Sequence, residues 1–456
     1  MSVRLRLLAF VAIGFVATTA HGEPNASRQP NLVVFLSDDH GYLDSSAAGD
    51  ARLRTPNMER LAKHGMSFTQ AFAASPSCAP SRAALLTGLM PARNGSMLNH
   101  QPPRPDVKKL PAYLHELGYE VVAFGKVAHY KQGKDYGFDV VKHDTFHDAE
   151  CIPAALEFLR AWSGKKPLCL LVGTNWPHVP WPEVNERFTG PLPPTHVDTA
   201  ETRHWRAGYA AAVERCDADL GKFFDAAYKN LGPNTLFVHF SDHGAQWPFG
   251  KWNLYDAGTR VPFLAVWPNV IPLGSRSDAM VSLVDVLPTL VEVAGGTPPA
   301  DIDGRSFREV LIGEKTAHRD RIFTTHSGDG RMNAYPMRSV RTPRWKYIRN
   351  LRPDGEHHTH IDLGKPVDGS NYWQSWVELA KTDPHAAAVV DRYHRRPPEE
   401  LYDLEYDPHE QTNLAVDASH AAVLAELRTS LDAWMREQGD VGLATERDAA
   451  AAYGIP

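Results

Sequence analysis

Apolar runs that end in polar side chains recur along this 456-residue chain and indicate its fold. Runs at 31–37, 119–124, 168–173 and 235–240 are each followed within a few residues by acidic, lysine or histidine side chains. Continuous apolar runs of this length are typical of parallel strands that are buried on both faces. Segments with a helical pattern, the longest at about 202–230, alternate with these runs. The alternation predicts an α/β fold with a doubly wound, largely parallel central sheet flanked by helices.

The pattern changes at roughly residue 316, where short segments resemble antiparallel strands and are followed by an amphipathic helix. The stretch 357–397 is polar and irregular, which predicts a long loop over a site. Because the chain is too long for one small core, we expect a large domain over 28–315 and a smaller C-terminal α+β domain over 316–442. The predicted strands of its short antiparallel sheet are 321–325, 337–341, 345–349 and 400–404, and the predicted helix is about 419–437.

The N-terminus has the features of a secretory signal. Arg4 and Arg6 precede the apolar run 7–20, which is too short for a comfortable membrane span. Ala20-His21-Gly22 offers a small-x-small cleavage pattern, so residues 1–22 are expected to be removed. The alternative is an uncleaved anchor. We expect an exported protein, periplasmic or secreted, with no membrane span after cleavage.

Charge and cysteine content narrow the possible partners and cross-links. The formal net charge of -6 argues against general nucleic-acid binding, so no nucleic-acid partner is expected. If Cys78 is chemically special, the remaining Cys151, Cys169 and Cys216 allow at most one disulfide.

Polar groups that follow the apolar runs should converge, because ligands bind outside the carboxyl ends of parallel strands. Asp38, Asp39 and Asp242 would repel one another and take up protons if they were buried together without a cation. Their oxygen-rich composition favours calcium or magnesium over zinc. The alternative for Asp38-Asp39 alone is an ordinary turn. The side chains expected at this edge are Asp38, Asp39, Lys126, His129, His178, Asp242 and His243.

The most specific pattern in the sequence is Cys78-Ala79-Pro80-Ser81-Arg82. On general grounds, a Cys at a helix start near an Arg is a candidate low-pKa thiolate. The five residues resemble the Cys-x-Pro-Ser-Arg signature of the type I, formylglycine-dependent sulfatases, and Leu86-Thr87-Gly88 continues the resemblance. The alternative is a buried structural thiol.

The resemblance to sulfatases covers nearly the whole expected mature chain and implies an alkaline-phosphatase-like fold. It makes 28–315 the catalytic domain, with 316–442 completing the substrate cleft. Further matching segments are 31–41, Gly125-Lys126 with His129, Trp176-Pro177-His178-Val179-Pro180, Ser241-Asp242-His243-Gly244, Gly250-Lys251, Glu400-Leu401-Tyr402-Asp403, Asp407-Pro408-His409-Glu410 and Asn413-Leu414.

The same resemblance implies a role for each matching side chain. A maturation enzyme would oxidise Cys78 to formylglycine, whose hydrated aldehyde is the nucleophile. Arg82 would steady the hydrate, and Lys126 and Lys251 would hold sulfate oxygens. The implied ligands of one calcium ion are Asp38, Asp39, Asp242, His243 and the modified Cys78.

Histidines are the implied proton-transfer groups. His178, alone or with Lys251, is favoured for protonating the leaving group, and His129 for helping sulfate release. His243 departs from many sulfatases, which have Asn at this position, although iduronate-type sulfatases also carry His. Because nitrogen is a less typical ligand of calcium, His243 either binds the metal or contacts the sulfate.

The substrate is less constrained by sequence. The segment 335–340, together with His326 and His100, resembles the sulfamidases, whereas 125–129 and 241–244 are closer to iduronate 2-sulfatase. The expected substrate is therefore an N- or O-sulfated sugar of a glycosaminoglycan or other sulfated polysaccharide. Substrate-binding candidates are His100, His326 and Arg338, each with a surface or domain-interface role as the alternative. Trp176, Trp181, Trp247 and Trp252 are candidates for stacking on sugars, with core packing as the alternative.

Two other functions remain open on the sequence alone. Phosphonate monoesterases and phosphodiesterases of the alkaline phosphatase superfamily can use the same Cys-x-Pro-Ser-Arg pattern. A non-catalytic, sugar-binding pseudo-sulfatase would be expected to lack the nucleophile or a metal Asp, and both are present here.

Overall fold

The computed structural model describes residues 29–48, 53–143, 149–329, 332 and 334–454. The predicted signal peptide, residues 1–22, lies outside the described residues and stays a prediction. In the described part of the chain, no helix combines the length and the apolar character needed to cross a membrane.

Strands and helices alternate through most of the chain. The strands are β1 (Asn31–Ser37), β2 (Met66–Phe68), β3 (Ala71–Phe72), β4 (Glu120–Gly125), β5 (Val140–Lys142), β6 (Leu168–Gly173), β7 (Thr235–Ser241), β8 (Phe263–Val266), β9 (Ser275–Ser277), β10 (Val281–Ser282), β11 (Ile322–His326), β12 (Met337–Arg341), β13 (Trp345–Asn350) and β14 (Glu399–Asp403). The α-helices are α1 (Pro56–His64), α2 (Cys78–Thr87), α3 (Pro91–Asn94), α4 (Leu110–Glu116), α5 (Cys151–Ala161), α6 (Ala200–Leu231), α7 (Asp256–Thr259), α8 (Val286–Val293), α9 (Arg308–Leu311), α10 (His360–Leu363), α11 (Ser370–Leu379), α12 (Pro384–His394), α13 (Ala421–Glu437) and α14 (Leu443–Ala452).

The central sheet has eight strands in the order β5-β4-β6-β1-β7-β8-β2-β9. From β5 to β7 each neighbouring pair is parallel, whereas β8 is antiparallel to both β7 and β2. The prediction of a large, mostly parallel sheet is therefore confirmed. The four strands whose ends carry polar side chains, β4, β6, β1 and β7, are adjacent in this order, so those ends lie side by side.

Helices cover both faces of this sheet. Alternate side chains of β1 therefore pack in two different apolar layers. Leu32, Val34 and Leu36 pack in one layer with residues of α2, α4 and α8. Val33 and Phe35 pack in the other layer with residues of α1, α5 and α6. Burial on both faces explains why these strands are continuously apolar in sequence.

A second, antiparallel sheet has the order β11-β12-β13-β14, as the short C-terminal segments predicted. Its side chains Val340, Tyr347 and Leu401 share an apolar cluster with α13. The rings of Phe323 and Trp434 stack with centroids 4.7 Å apart, which fixes α13 against the sheet. Helix α14 follows the predicted end of this domain at residue 442, so the ordered C-terminal part is longer than expected.

The prediction of an irregular loop over 357–397 is wrong, because α10, α11 and α12 occupy this stretch. The buried faces of α11 and α12 include large aromatic side chains, among them Tyr372, Trp376 and Tyr393. Helix-start signals are present in the sequence: the side chain of Asp383 accepts a hydrogen bond from the Ala386 backbone, and Pro384 follows it. The overall polarity of the stretch concealed them.

Candidate active site

The ends of β1 and β7 bring the predicted aspartates together. Asp38, Asp39 and Asp242 are each no more than 1% exposed. The backbone amide of Asp39 donates to Oδ1 of Asp242 over 3.1 Å, which ties the two strand ends directly. Asp39 has a positive φ of 65°, an uncommon conformation for a residue other than glycine. Such strain persists where surrounding contacts hold it, as they do here.

Helix α2 presents Cys78 to these carboxylates. The helix begins at Cys78. Sγ of Cys78 lies 3.3 Å from Nε2 of His243, 3.6 Å from Nζ of Lys126 and 3.9 Å from Oδ1 of Asp38. The position predicted for the nucleophile therefore lies against the predicted metal and anion-binding groups.

Arg82 lies one turn further along α2 and fastens the helix to the strand ends. Its Nε donates to Oδ2 of Asp242 and its Nη2 to Oδ1 of Asp38, both over 2.9 Å. Its Nη1 donates to the carbonyl of Lys126. Because the guanidinium is completely buried and its donors are engaged by protein, Arg82 acts on the carboxylates and the β4 end.

Two lysines each pair with one carboxylate of the Asp38-Asp39 pair. Nζ of Lys126 lies 2.7 Å from Oδ2 of Asp38, and Nζ of Lys251 lies 2.7 Å from Oδ2 of Asp39. Burial favours the neutral form of Asp38, but Lys126 and Arg82 outweigh it and hold its pKa well below the usual range. Burial likewise opposes the charge of both lysines, but the facing carboxylates raise the pKa of each. Both lysines are therefore cations that can bind an anion.

Two histidines of the site, His178 and His243, have pKa values shifted in opposite directions. Burial lowers the pKa of His178 and Lys251 lowers it further, so this imidazole is neutral. Its Nδ1 lies 2.6 Å from the Val179 carbonyl oxygen and must donate to it, because that oxygen can only accept. For His243, burial lowers the pKa, but Asp242 and Cys78 outweigh burial and raise it to about 9.

The donor set fits a divalent cation. Asp39, Cys78, Asp242 and His243 each offer one ligand atom, and these four atoms lie within 4.8 Å of one another. Oδ1 of Asp39 is buried and has no hydrogen-bond donor among the described residues. The sulfur of Cys78 occupies the place that an oxygen of formylglycine would take. Asp38 faces Lys126 and Arg82 and lies outside this group of four, so its ligand role stays a prediction.

Comparison with known proteins decides the family. The Sulfatase family model matches residues 30–296, more than half of the chain. The model described as N-sulphoglucosamine sulphohydrolase, C-terminal, matches residues 243–376. The chain belongs to the sulfatase family. It is accordingly a sulfuric ester hydrolase.

Similar proteins cover nearly the whole of this sulfatase. An ulvan-active sulfatase of Formosa agariphila is 33% identical over 91% of the chain and 82% of the relative. The human N-sulphoglucosamine sulphohydrolase is 27% identical over 91% of each chain.

Solved structures show that the sulfatase has the alkaline-phosphatase-like fold. A protein bound to its substrate D-glucosamine-2-N,6-O-disulfate matches with a TM-score of 0.70 at 19% identity, over 91% of this chain and 99% of that one. The phosphonate monoester hydrolase of Agrobacterium radiobacter matches with a TM-score of 0.68 at 20% identity, over 91% and 97%.

The predicted substrate-binding residues of the sulfatase lie in different surroundings. His100 contacts His129, with Nδ1 and Nε2 2.6 Å apart. His326 is 1% exposed at the end of β11, and its carbonyl accepts from Arg338. The structure contradicts a sugar contact for Arg338, because its guanidinium is fully buried and donates to Asp440 and Glu446. Arg338 instead ties β12 to α14.

The tryptophans near the sulfatase motifs follow the core-packing alternative. Trp181 and Trp247 stack with centroids 4.9 Å apart in an aromatic layer with Tyr372. Trp252 is 2% exposed and stacks on His360. Trp176 is half-buried beneath the guanidinium of Arg215.

Sequence reasoning missed residues that hold the site from loops. Oδ1 of Asn99 accepts from the backbone amide of Ala79, the residue after Cys78, over 3.1 Å. Gln246 receives a hydrogen bond from Lys251 through its Oε1. Neither follows an apolar run, so the strand-end pattern could not find them. All four cysteines are buried and free, so none forms a disulfide.

Proposed function

We propose that this sulfatase hydrolyses sulfate from an N- or O-sulfated sugar of a glycosaminoglycan or other sulfated polysaccharide. The observation that carries the proposal is the buried contact of Cys78 with Lys126 and His243 beside two aspartate ligand candidates. The names of the relatives support a carbohydrate substrate, since they include ulvan-active sulfatases and N-sulphoglucosamine sulphohydrolase.

We further propose that Cys78 is oxidised to formylglycine by a maturation enzyme and that one calcium ion binds beside it. The ligands would be Asp39, Asp242, His243 and residue 78, with Asp38 next to them. When present, the hydrated aldehyde supplies the nucleophile and the cation supplies positive charge for the sulfonate oxygens.

The chain's own cations bind and orient the sulfate group. Lys126 and Lys251 remain charged in a fully buried setting, where a hydrogen bond to an anion is stronger than in water. Their present partners, Asp38 and Asp39, keep them in place. Arg82 positions Asp38 and Asp242 and holds the start of α2 in register with them.

Histidines move protons in this proposal. His178 is neutral, with Nδ1–H donated to Val179, so Nε2 is the atom that takes up a proton before passing it to the leaving group. Nε2 lies 3.7 Å from Oδ2 of Asp39; it takes this proton from solvent, and the negative charge of an arriving sulfate group favours the protonated form. His129 assists the release of sulfate.

The substrate is tested with a panel of defined sulfated oligosaccharides, including ulvan and heparan fragments, with desulfated products identified by mass spectrometry. We expect loss of one sulfate from at least one sugar. A phosphonate or phosphodiester hydrolase would instead turn over an aryl phosphodiester faster than an aryl sulfate. A pseudo-sulfatase would bind the sugars and release no sulfate.

Maturation is tested on the peptide that contains Cys78. We expect a mass about 18 Da below that of the cysteine form, because an aldehyde replaces the thiol-bearing group. An unmodified peptide from a fully active preparation would disprove formylglycine. We also propose export; the N-terminus of the protein recovered from the periplasm or medium should begin near Glu23.

A further inference from the structure

Three side chains from separate segments form a line that ends at His129. Nε2 of His129 lies 2.6 Å from Nδ1 of His100. Nε2 of His100 lies 3.2 Å from Oδ1 of Asp329. The ends of the line are buried, with His129 3% exposed and the Asp329 side chain 8% exposed, whereas the His100 side chain is half-exposed.

The backbone holds His100 in a strained conformation for this contact. Its φ is 67°, a left-handed value that costs free energy for a residue with a side chain. Its carbonyl accepts hydrogen bonds from Gln132, over 2.7 Å, and from Tyr453, over 3.0 Å. The amide of Asn99 donates to the carbonyl of Gly328, which joins the segments that carry His100 and Asp329. Several independent contacts therefore fix the line.

Hydrogen-bond directions along the line follow from Asp329. Burial would raise the pKa of Asp329, but the hydrogen bonds from His100 and Asn99 outweigh burial and lower it, so the carboxylate only accepts. His100 must therefore donate from Nε2, and its neutral form accepts at Nδ1. His129 then donates from Nε2, which leaves its Nδ1 with a lone pair.

Nδ1 of His129 is suited to accept a proton. It is buried and has no hydrogen-bond partner among the described residues. Burial lowers the pKa of His129, and the charges of Lys126 and Arg82 lower it further, while Asp38 opposes them. The imidazole is therefore neutral at rest.

We propose that Asp329 is a positioning residue that acts through His100 to hold His129 in the tautomer with a bare Nδ1. The proposal rests on the proposed proton-transfer role of His129. His129 accepts and later releases a proton at Nδ1. The hydrogen bonds from His129 to His100 and from His100 to Asp329 therefore persist through the catalytic cycle. The second oxygen of Asp329 accepts from Nδ2 of Asn99, over 3.0 Å, and Asn99 holds the amide of Ala79.

The decisive variant is Asp329→Asn. Its amide can donate to Nε2 of His100 and still accept from Asn99, so the fold should persist while the donor order reverses. His129 would then carry its proton on Nδ1 and could no longer accept one there. We expect kcat to fall about 10²-fold with KM changed less than about 2-fold, as for loss of a general base. His129→Gln should give a similar fall, and the double variant should fall no further.

Asp139→Asn is the matched control. Asp139 also pairs with a histidine, His115, over 2.9 Å, and accepts from the amide of Val121. This pair lies on the half-exposed surface away from Cys78, so its loss should leave kcat unchanged. Equal kcat values for Asp329→Asn and Asp139→Asn would overturn the proposal.

Imidazole nitrogen NMR reads the tautomer without any turnover. In protein labelled with ¹⁵N-histidine, His129 should show a protonated Nε2 and a bare Nδ1, with signals assigned by His100→Gln and His129→Gln. The pattern should reverse in Asp329→Asn and stay in Asp139→Asn. A protonated Nδ1 in the unmodified protein would refute the hydrogen-bond order. Reversal with full kcat in both Asp329→Asn and His129→Gln would refute the role of His129 and leave the sulfatase activity intact.

Discussion

Two buried clusters of charged residues in this sulfatase contain similar side chains but have different roles. The catalytic cluster lies at the edge of the central sheet and comprises Asp38, Asp39, Cys78, Arg82, Lys126, Asp242, His243 and Lys251. The interface cluster comprises Asp256 of α7, Arg341 of β12, Lys346 of β13 and Glu410. It joins the large domain to the C-terminal sheet, with Nη2 of Arg341 3.0 Å from Oδ2 of Asp256 and Nζ of Lys346 3.2 Å from Oε1 of Glu410.

Asp256 of the interface cluster and Asp39 of the catalytic cluster differ in how far protein cations compensate for their burial. In the interface cluster, burial raises the pKa of Asp256 but Arg341 and Lys346 outweigh burial and lower it. In the catalytic cluster, burial raises the pKa of Asp39 and Lys251 does not compensate fully. Oδ1 of Asp39 also has no hydrogen-bond donor among the described residues, and Asp39 lies among the four candidate metal-binding residues. An aspartate that protein cations compensate fully, such as Asp256, stabilises the fold, whereas Asp39 is placed to bind a cation.

The largest expected difference between the clusters is the loss of activity in Asp39→Asn. Removing a ligand charge should lower kcat/KM on an aryl sulfate about 10³-fold, because the cation and Lys251 both lose their partner. Calcium at 100 times its Kd should raise the free energy of unfolding of the chelator-treated protein by about 2.7 kcal/mol. This stabilisation is measured as a higher melting temperature and should be absent in the variant. An unchanged calcium response in the variant would count against Asp39 as a ligand.

The converse change is Asp256→Asn in the interface cluster. It leaves Arg341 and Lys346 buried with one carboxylate fewer, so the free energy of unfolding should fall by about 3–5 kcal/mol. Denaturant titration measures it, with the exposed Asp320→Asn as a control that should change stability by less than about 0.5 kcal/mol. Loss of turnover in molecules that remain folded would contradict the separation of the two clusters.

Substitutions of one lysine in each cluster should separate a loss of activity from a loss of stability. Lys251→Ala should lower kcat about 10²- to 10³-fold, because one cation facing the sulfate is lost. Lys346→Ala should instead lower stability, since Lys346 bonds the Leu254 carbonyl and Asp256 in the interface cluster. Steady-state kinetics and denaturation of both variants test the assignment. Equal effects of the two changes on kcat would be inconsistent with it.

The smallest expected effect is on the pH dependence of stability. Burial raises the pKa of Glu410 to about 7, above the usual 4.5 of a glutamate. The folded state therefore keeps a proton that the unfolded chain releases, so this contribution is present below pH 4.5 and is lost as pH rises towards 7. Glu410→Gln removes the effect. The melting temperature of the unmodified protein, minus that of the variant, should decline across this window; a constant difference would exclude Glu410 as the titrating group.

The sequence predicted the catalytic cluster better than its surroundings. Asp38 and Asp242 follow strands that are buried on both faces, and such strands must be apolar throughout, so their ends are visible in sequence. Asp329 lies in the loop after β11, which belongs to the antiparallel sheet rather than the parallel one, and its contact with His100 depends on the fold of two loops. Arg338 was predicted to bind substrate because its segment resembles the sulfamidases and its guanidinium can bind sulfate or carboxylate in a bidentate manner, and neither property distinguishes a sugar contact from a buried ion pair.

The helices in the segment 357–397 were also not predicted from the sequence. Helices α11 and α12 bury tyrosines and tryptophans, whose polar atoms make the stretch look hydrophilic. Attention to the cap at Asp383 would have predicted at least α12. The mostly parallel sheet, by contrast, followed directly from the alternation of strands and helices.

Burial of Cys78 limits when the proposed oxidation can take place. The side chain is 2% exposed beneath the strand ends, so a maturation enzyme cannot reach it once the chain has folded. The proposed oxidation must then precede folding, during synthesis or transport. A molecule that folds with its thiol intact would stay unmodified, and adding the maturation enzyme later would modify it only after unfolding.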